Sequence, residues 1–332
     1  MQATVSIVIP CFNEEGTIRK LLDALYAQTY PRDRMQLLIC DGMSTDGTRE
    51  AVRAFRSQAT DLSVQIIENP KRTIPAALNA GIRVATGDVV VRLDAHCVPY
   101  PDYIERAVTA VMSDKGENVG GVWEIRPGAT TPIAEAIAAA AGHPLGAGDA
   151  LYRLRPEAAA VDTVPFGSFR RQLVERVGLF DESLLSNEDY EFNARIRQAG
   201  GTVWLDPQIR SVYFARSNLR DLARQYWRYG FWKWRMLRRH PRTIRLRQAL
   251  PPVFAGGLVV LAVLSLWSQA ARLALLGGIA VYMAVLGLAG LLLAFRARKA
   301  YLIVGLPACI AVMHFAWAGG FLWSVLGGRP RP

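Results

Sequence analysis

Apolar and polar positions along the first hundred residues follow two rhythms. Short apolar runs at Val5-Ser6-Ile7-Val8-Ile9, Leu37-Leu38-Ile39-Cys40, Val64-Gln65-Ile66-Ile67 and Val89 to Leu93 read as strands. Between them, apolar residues recur at three- and four-residue spacing. Ile18, Leu21, Leu22 and Leu25 predict a helix over 14–27. Further helices are predicted over 45–55 and over 74–85, the second entered through Pro75, which a first helical turn tolerates. Pro10 is expected to stop the first strand. Strands alternating with helices predict a parallel, doubly wound α/β sheet.

Past Pro101 the pattern loosens. Helices are predicted over 102–112, 133–141, 172–177 and 188–198, strands over 120–125, 203–205 and 212–214, and a Gly-rich loop over 142–148. From Leu219 to about Arg239, aromatic residues such as Tyr226, Trp227, Trp232 and Trp234 interleave with Arg224, Arg228, Lys233 and Arg235. That composition suits a helix lying in a membrane interface. An amphipathic helix packed on a soluble domain would carry the same pattern.

Three long apolar runs follow. Residues 251–267 form a charge-free run of 17, or 22 when counted over 250–271; 273–295 is 23 residues and 300–326 is 27. A spanning helix needs about 20 apolar residues, so three transmembrane helices are expected at about 250–271, 273–295 and 300–326. The glycines at Gly256-Gly257, Gly277-Gly278, Gly287 and Gly319-Gly320 weaken soluble helices but suit helix packing in lipid. The expected organisation is a soluble domain at 1–215, a basic aromatic interfacial segment at 216–249 and the apolar helices at 250–328.

Charge sharpens this picture by its position. The chain of 332 residues carries a formal charge of +11, and the segment 216–247 alone holds eleven Lys or Arg against one acid, Asp221. A basic block can bind nucleic acid. Placed directly before the first apolar run, it points to the anionic cytoplasmic leaflet, with no nucleic-acid partner expected. No signal peptide is read in the N-terminal residues, so the soluble domain is expected in the cytoplasm and the helices in the inner membrane. One conflict arises: three complete crossings place Arg329 and Arg331 outside, against the positive-inside rule. A third segment that re-enters rather than crosses would remove it. The four cysteines, Cys11, Cys40, Cys97 and Cys309, lack paired spacing and read as reduced residues of the interior rather than a disulfide or zinc framework.

The candidate chemistry lies at strand ends, where open α/β sheets bind ligands. Pro10-Cys11-Phe12-Asn13-Glu14-Glu15 follows the first strand and Asp41-Gly42-Met43-Ser44-Thr45-Asp46-Gly47-Thr48 the second. Asp41 could accept from a base N–H, while Asn13 and Ser44 could equally be N-caps. The fourth strand ends in Asp94-Ala95-His96, a hard oxygen donor and an imidazole at i, i+2 that point the same way in extended geometry. Two readings stand: a divalent-cation site, or a turn headed by Asp94. No GxGxxG or GxxxxGK[ST] is present after the first strand, which argues against a dinucleotide site and a P-loop.

Taken together, "VSIVIPCFNEE", "DGMSTDGT", "NPKRTIPAALNAGI", "VVVRLDAH", "FGSFRR", "GLFDE", "NEDYEFNARIRQAGG" and "QYWRYG" resemble family 2 glycosyltransferases over roughly residues 4–235. More narrowly, with the C-terminal apolar runs, the chain resembles the ExoA-like glucosyltransferases of succinoglycan-type exopolysaccharide assembly. The resemblance implies a GT-A fold that binds a nucleotide sugar, with Glu14 and Asp41 as ligands of the uridine and Pro10 and Asn13 among the residues that bind the donor. It implies Asp94 and His96 as ligands of Mg²⁺ or Mn²⁺, with a histidine where the family more often has an acid. Asp189 falls at the position of the catalytic base, although a first-turn acid complementing the helix dipole is an alternative. Lys71 and Arg228 become candidates to face the diphosphate. Gln225 to Tyr229 resembles the QxxRW motif of processive synthases with Tyr229 in place of the Trp, which weakens a processive reading.

The expected activity is therefore inverting transfer of a sugar, glucose from UDP-glucose, to a polyprenyl-diphosphate-linked saccharide in exopolysaccharide assembly. A simple lipid or a growing polysaccharide is the alternative acceptor. A non-catalytic membrane-bound nucleotide-sugar sensor is the alternative of a different class.

Overall fold

The computed structural model describes residues 2–154 and 157–330. The chain divides into two compact units, Met1–Glu124 with Ala150–Tyr213, and Ile125–Asp149 with Phe214–Pro332.

The first unit is built on a nine-stranded sheet in the order β3-β2-β1-β4-β8-β6-β9-β5, with β7 paired to β9. Its strands are β1 (Val5–Cys11), β2 (Met35–Asp41), β3 (Ser63–Glu68), β4 (Val89–Arg92), β5 (Cys97–Pro99), β6 (Asn118–Arg126), β7 (Ala159–Ala160), β8 (Ser168–Arg170) and β9 (Val203–Phe214). β1 pairs in parallel with β2 and β4, and β2 with β3. Beyond β4 the neighbour β8 runs antiparallel. The helices are α1 (Ile18–Tyr26), α2 (Thr48–Gln58), α3 (Ile74–Val84), α4 (Tyr103–Met112), α7 (Leu173–Val177) and α8 (Glu188–Gln198), where α5 and α6 belong to the second unit.

Both faces of the sheet are covered, and the strands show it residue by residue. Val5, Ile7 and Ile9 of β1, Leu37 and Ile39 of β2, and Val89 and Val91 of β4 pack on one side with α1, α2 and α4. The alternate residues Val8, Leu38, Cys40 and Val90 pack on the other with Leu78 and Ile82 of α3 and Phe192 and Ile196 of α8. Side chains of period two thus serve two cores, which is why these strands read as near-continuous apolar runs. Each fully buried Val, Leu or Ile contributes about 1.5–3 kcal/mol.

Several boundaries differ from the sequence expectation. β1 runs through Pro10 to Cys11 rather than stopping at the proline. β4 pairs with β1 only from Val5 to Val8, so Pro10 sits beyond its end and its missing N–H breaks no ladder bond on that side. The two short strands expected at 203–205 and 212–214 are one strand, β9, carrying Pro207 in its middle. β5, β7 and β8 are two or three residues each, too short to show a period.

The second unit is helical: α5 (Pro132–Ala141), α6 (Pro144–Ala147), α9 (Leu219–Leu237), α10 (Leu246–Leu264), α11 (Gln269–Ala297) and α12 (Leu302–Val325). α6 forms inside the segment expected to be a Gly-rich loop, with the His143 imidazole accepting from the Leu145 N–H (3.2 Å). Thr131, Asn218 and Ser268 cap α5, α9 and α11 through their side-chain oxygens. α10, α11 and α12 are each long and apolar enough to cross a membrane.

Candidate active site

The order β2-β1-β4 makes a switch point. The chain moves from β1 outward to β2 and β3, then returns to place β4 on the other side of β1. Loops leave the carboxyl ends of β1, β2 and β4 on one edge, where such sheets bind ligands.

The first two loops are stapled together by reciprocal hydrogen bonds. Asn13, at φ 53°, donates its N–H to Ser44 Oγ (2.9 Å), and its side-chain oxygen accepts from the Thr45 N–H (2.9 Å). The Glu14 N–H donates to Thr48 Oγ1 (2.8 Å), and Glu15 accepts from the Gly47 N–H (3.1 Å). Asn13 and Ser44 therefore join two loops instead of capping helices: α1 and α2 begin after Thr17 and Gly47. Asp41 ends β2 with 1% of its surface exposed. Its carboxylate accepts from the Ser44 N–H (3.1 and 3.3 Å) and from Arg49 Nε (2.5 Å). The acids here concentrate negative potential: burial first, then Glu14, Asp41 and Asp46, push the Cys11 thiol well above its ordinary range. All four cysteines are buried and free, as the sequence predicts.

At the third loop the structure departs from extended geometry. β4 ends at Arg92, and Asp94-Ala95-His96 forms a turn closed by the Cys97 N–H on the Asp94 carbonyl (3.0 Å). The i, i+2 alternation of a strand does not govern these two side chains. Neighbouring loops orient them instead. His96 Nδ1 lies 3.1 Å from Glu14 Oε1, and the other Glu14 oxygen accepts from the Thr17 hydroxyl. A carboxylate can only accept, so a neutral His96 ring that donates from Nδ1 to Glu14 carries its lone pair on Nε2. A carboxylate holding the far N–H is how metal-binding histidines are commonly oriented.

Arg92 ties the third loop to α8, and sequence reasoning missed it. Its guanidinium is almost fully buried, with Nε 3.2 Å from Asp94 Oδ1 and Nη2 3.0 Å from Glu188 Oε1. Burial alone would favour its neutral form; Asp94, Glu188 and Asp189 outweigh that and hold it charged. Glu188 is raised above the usual carboxylate range by burial, against the pull of Arg92 and with a push from Asp189. The available signal was a cation inside an otherwise apolar strand run, two residues before Asp94.

Asp189 stands in the first turn of α8, after Asn187 in a left-handed conformation (φ 64°) whose side chain makes no cap bond. Asp189 Oδ1 accepts from the Tyr190 N–H (2.7 Å). It lines a cavity with Arg92, Asn118, Gly167 and Asn193. Two atoms buried there, Arg92 Nη1 and Asn118 Oδ1, have no hydrogen-bond partner among the described residues.

Lys71 and Arg228 complete the set of residues predicted from the sequence. Lys71 forms an ion pair with Glu182 (2.6 Å). Arg228 is exposed on α9, in the other unit. A second residue missed in the sequence is Phe12, 45% exposed beside Gly42, with the Arg72 guanidinium 6.0 Å from its ring centroid.

Among the described residues no three His, Cys, Asp or Glu side chains converge as a resident metal site. One carboxylate and one oriented imidazole suit a cation whose remaining positions are filled by diphosphate oxygens and water. The donor set thus fits a divalent ion that binds together with a nucleoside diphosphate.

The profile of the family described as "Glycosyl transferase family 2" matches residues 6–178, just over half of the chain. The chain belongs to glycosyl transferase family 2. This glycosyltransferase is 32% identical to the succinoglycan biosynthesis protein ExoA of Rhizobium meliloti (strain 1021), over 98% of its own length and 96% of that protein's. It is 31% identical to a dolichyl N-acetyl-alpha-D-glucosaminyl phosphate 3-beta-D-2,3-diacetamido-2,3-dideoxy-beta-D-glucuronosyltransferase of Methanococcus voltae, covering 71% of this chain and 74% of that one. Its fold is similar to that of a Pyrobaculum calidifontis mannosyltransferase solved with GDP-Man and Mn²⁺, with a TM-score of 0.68, 22% identity, and coverage of 97% and 88% of the two chains. The GT-A fold expected from the sequence is the fold observed.

Proposed function

We propose that this enzyme is a membrane-anchored, inverting glucosyltransferase that extends a polyprenyl-diphosphate-linked saccharide from UDP-glucose during exopolysaccharide assembly. The observation that carries the site reading is the Arg92 bridge. One buried cation is bonded both to Asp94, after β4, and to Glu188, next to Asp189 on α8. A group beside the donor diphosphate and a group that meets the acceptor are thereby held in one rigid arrangement. The near full-length similarity to a succinoglycan biosynthesis protein supports the pathway class. The dolichyl phosphate saccharide in the name of the Methanococcus voltae relative supports a lipid-linked acceptor.

In this reading Asp41 accepts from the base of the nucleotide, within a pocket shaped by the Asn13–Ser44 staple. The exposed Phe12 ring offers a flat apolar face to the same base. Asp94 and His96 would hold a divalent cation, which when bound supplies charge neutralisation for the departing diphosphate. Glu14 keeps the His96 ring in the ligating orientation. Asp189 takes the proton of the acceptor hydroxyl as that oxygen attacks the anomeric carbon. A single base implies one displacement, so an α-linked donor gives a β-linked product. The apolar C-terminal helices and the basic segment 216–247 keep the enzyme at an anionic membrane, with its catalytic unit on the cytoplasmic side, where its lipid-linked acceptor resides.

The test is incubation of membranes carrying the enzyme with a panel of labelled nucleotide sugars and lipid extract, with and without EDTA. Label is expected in the lipid phase from UDP-glucose, and EDTA is expected to abolish it. Transfer from a different nucleotide sugar overturns the donor assignment, activity in EDTA overturns the cation, and no transfer from any donor overturns the reading.

A further inference from the structure

The three apolar helices meet the same criteria of length and hydropathy, yet they differ in what covers them. In their most apolar stretches 11% of α10, 17% of α11 and 39% of α12 is buried within the protein. The partners of α12 are polar-ended elements of the second unit, and they hold it from end to end.

At its start, Lys299 Nζ and Tyr301 OH both donate to the carboxylate of Glu135 on α5. Midway, His314 Nε2 bonds the Leu145 carbonyl (2.8 Å), and Trp317 Nε1 donates to the Gln248 carbonyl (3.1 Å). Over its last turns α12 packs backbone to backbone on α9. A Cβ at Gly320 would stand 2.1 Å from the Trp227 carbonyl oxygen, and a Cβ at Gly230 would stand 2.1 Å from that of Trp317. Just past its end, Arg235 of α9 donates to the Gly328 carbonyl (3.4 Å).

Glu135, Leu145, Trp227 and Arg235 all lie in the segment 125–245. Among its described residues that segment has no helix long and apolar enough to cross a membrane. Its one shorter apolar helix is α5, with 10 residues. The described residues of this segment therefore stay on one face of the bilayer, and α12 is fastened to them at both ends. A 24-residue helix is about 36 Å long, more than the roughly 30 Å hydrocarbon core. It cannot cross and also begin and end on one face. Nor can the bilayer interior hold its neighbour α9, which carries Arg220, Arg224, Arg228, Lys233 and Arg235.

We infer that α12 does not cross the membrane: it lies at the interface as the central helix of the second unit, and only α10 and α11 enter the hydrocarbon, as a two-span hairpin whose flanks and C-terminus share one face. α10 leaves that face where Arg247 pairs with Asp149, and α11 returns to it at the Lys299–Glu135 pair. The hairpin presents Val253, Val259, Leu273, Val281 and Leu288, each at least half exposed, to acyl chains. The charges agree. Arg242, Arg245, Arg247, Arg296, Arg298, Lys299 and Arg329 all fall on the anchoring face, whereas the far end of the hairpin has only Arg272, in the first turn of α11, whose guanidinium donates to the Ser265 carbonyl (3.1 Å). Two crossings thus satisfy the positive-inside rule, which three would break at the C-terminus. This topology holds whatever the donor and acceptor prove to be.

The experiment uses the full-length chain with one epitope tag at each terminus, in membrane vesicles of known orientation treated with protease. A second variant, Gln269→Cys at the first residue of α11, beside the α10–α11 turn, is probed with a membrane-impermeant maleimide, the native cysteines all being buried. Both tags are expected to be digested in the same vesicle orientation, with Gln269→Cys labelled only in the opposite one. A C-terminal tag protected where the N-terminal tag is digested, or a turn cysteine labelled from the N-terminal side, overturns the two-span hairpin. The tag result stands without the cysteine variant.

Discussion

The two units of this chain place buried polarity in opposite ways. The first buries Asp41, Asn79, Arg92, Asn118, Glu188 and Asn193, several of them at the carboxyl edge of its sheet. The second, helical unit buries few polar side chains among its described residues, chiefly Lys233, Thr243, Gln248 and Ser324, and brings its helices together through glycine and bare backbone. A buried charge costs several kcal/mol unless it is paired, so such groups persist where orientation matters more than stability. Close helix contact through small residues gives packing without any polar group to satisfy. The difference separates a unit shaped to orient charge from one shaped to meet lipid.

The contrast breaks most visibly at Arg92. Replacing it with Ala leaves Glu188 buried beside Asp189 with no cation. We expect a loss of about 3–5 kcal/mol in stability, read by denaturant unfolding of purified protein in detergent. Arg92→Lys should recover part of the stability while kcat stays low, because one ammonium cannot reproduce the forked contact to Asp94 and Glu188. Full recovery of kcat by Lys would show that charge alone suffices. A smaller effect is expected in the second unit. Gly320→Ala forces α12 away from the Trp227 carbonyl and should cost about 1–3 kcal/mol. UDP binding should stay at the wild-type level, because the strand-end loops belong to the other unit. Weakened UDP binding in Gly320→Ala would show that the two units are not independent in this respect.

Much of the first unit was legible because its period is strong. β1 to β4 and α1 to α4 follow from apolar runs and helical spacing, and α8 was read over the residues it occupies. What escaped was set by tertiary contact. Pro10 reads locally as a strand breaker, but its place past the end of β4 makes it harmless. β8 is three residues held extended by its neighbours β4 and β6, which no local pattern announces. Asn13 and Ser44 carry cap chemistry, and the fold spends it on a loop-to-loop staple that no single segment encodes. Arg92 was hidden inside the apolar run that predicted its strand, and its partner Glu188 lies 96 residues away. In the second unit the apolar length of α12 was plain, whereas its sheath of α5 and α9 emerges only when distant segments meet.

The central claim is that Asp189, held beside the Arg92 bridge, carries the proton of the acceptor. Its most direct test is the turnover of Asp189→Asn alongside its affinity for UDP. An Asn side-chain oxygen can still accept from the Tyr190 N–H, so the local fold is preserved. Turnover is predicted to fall by about 10²–10⁴-fold with UDP affinity at the wild-type level. Turnover within about threefold of wild type, far less than loss of a general base produces, would remove Asp189 from the chemistry and contradict the account.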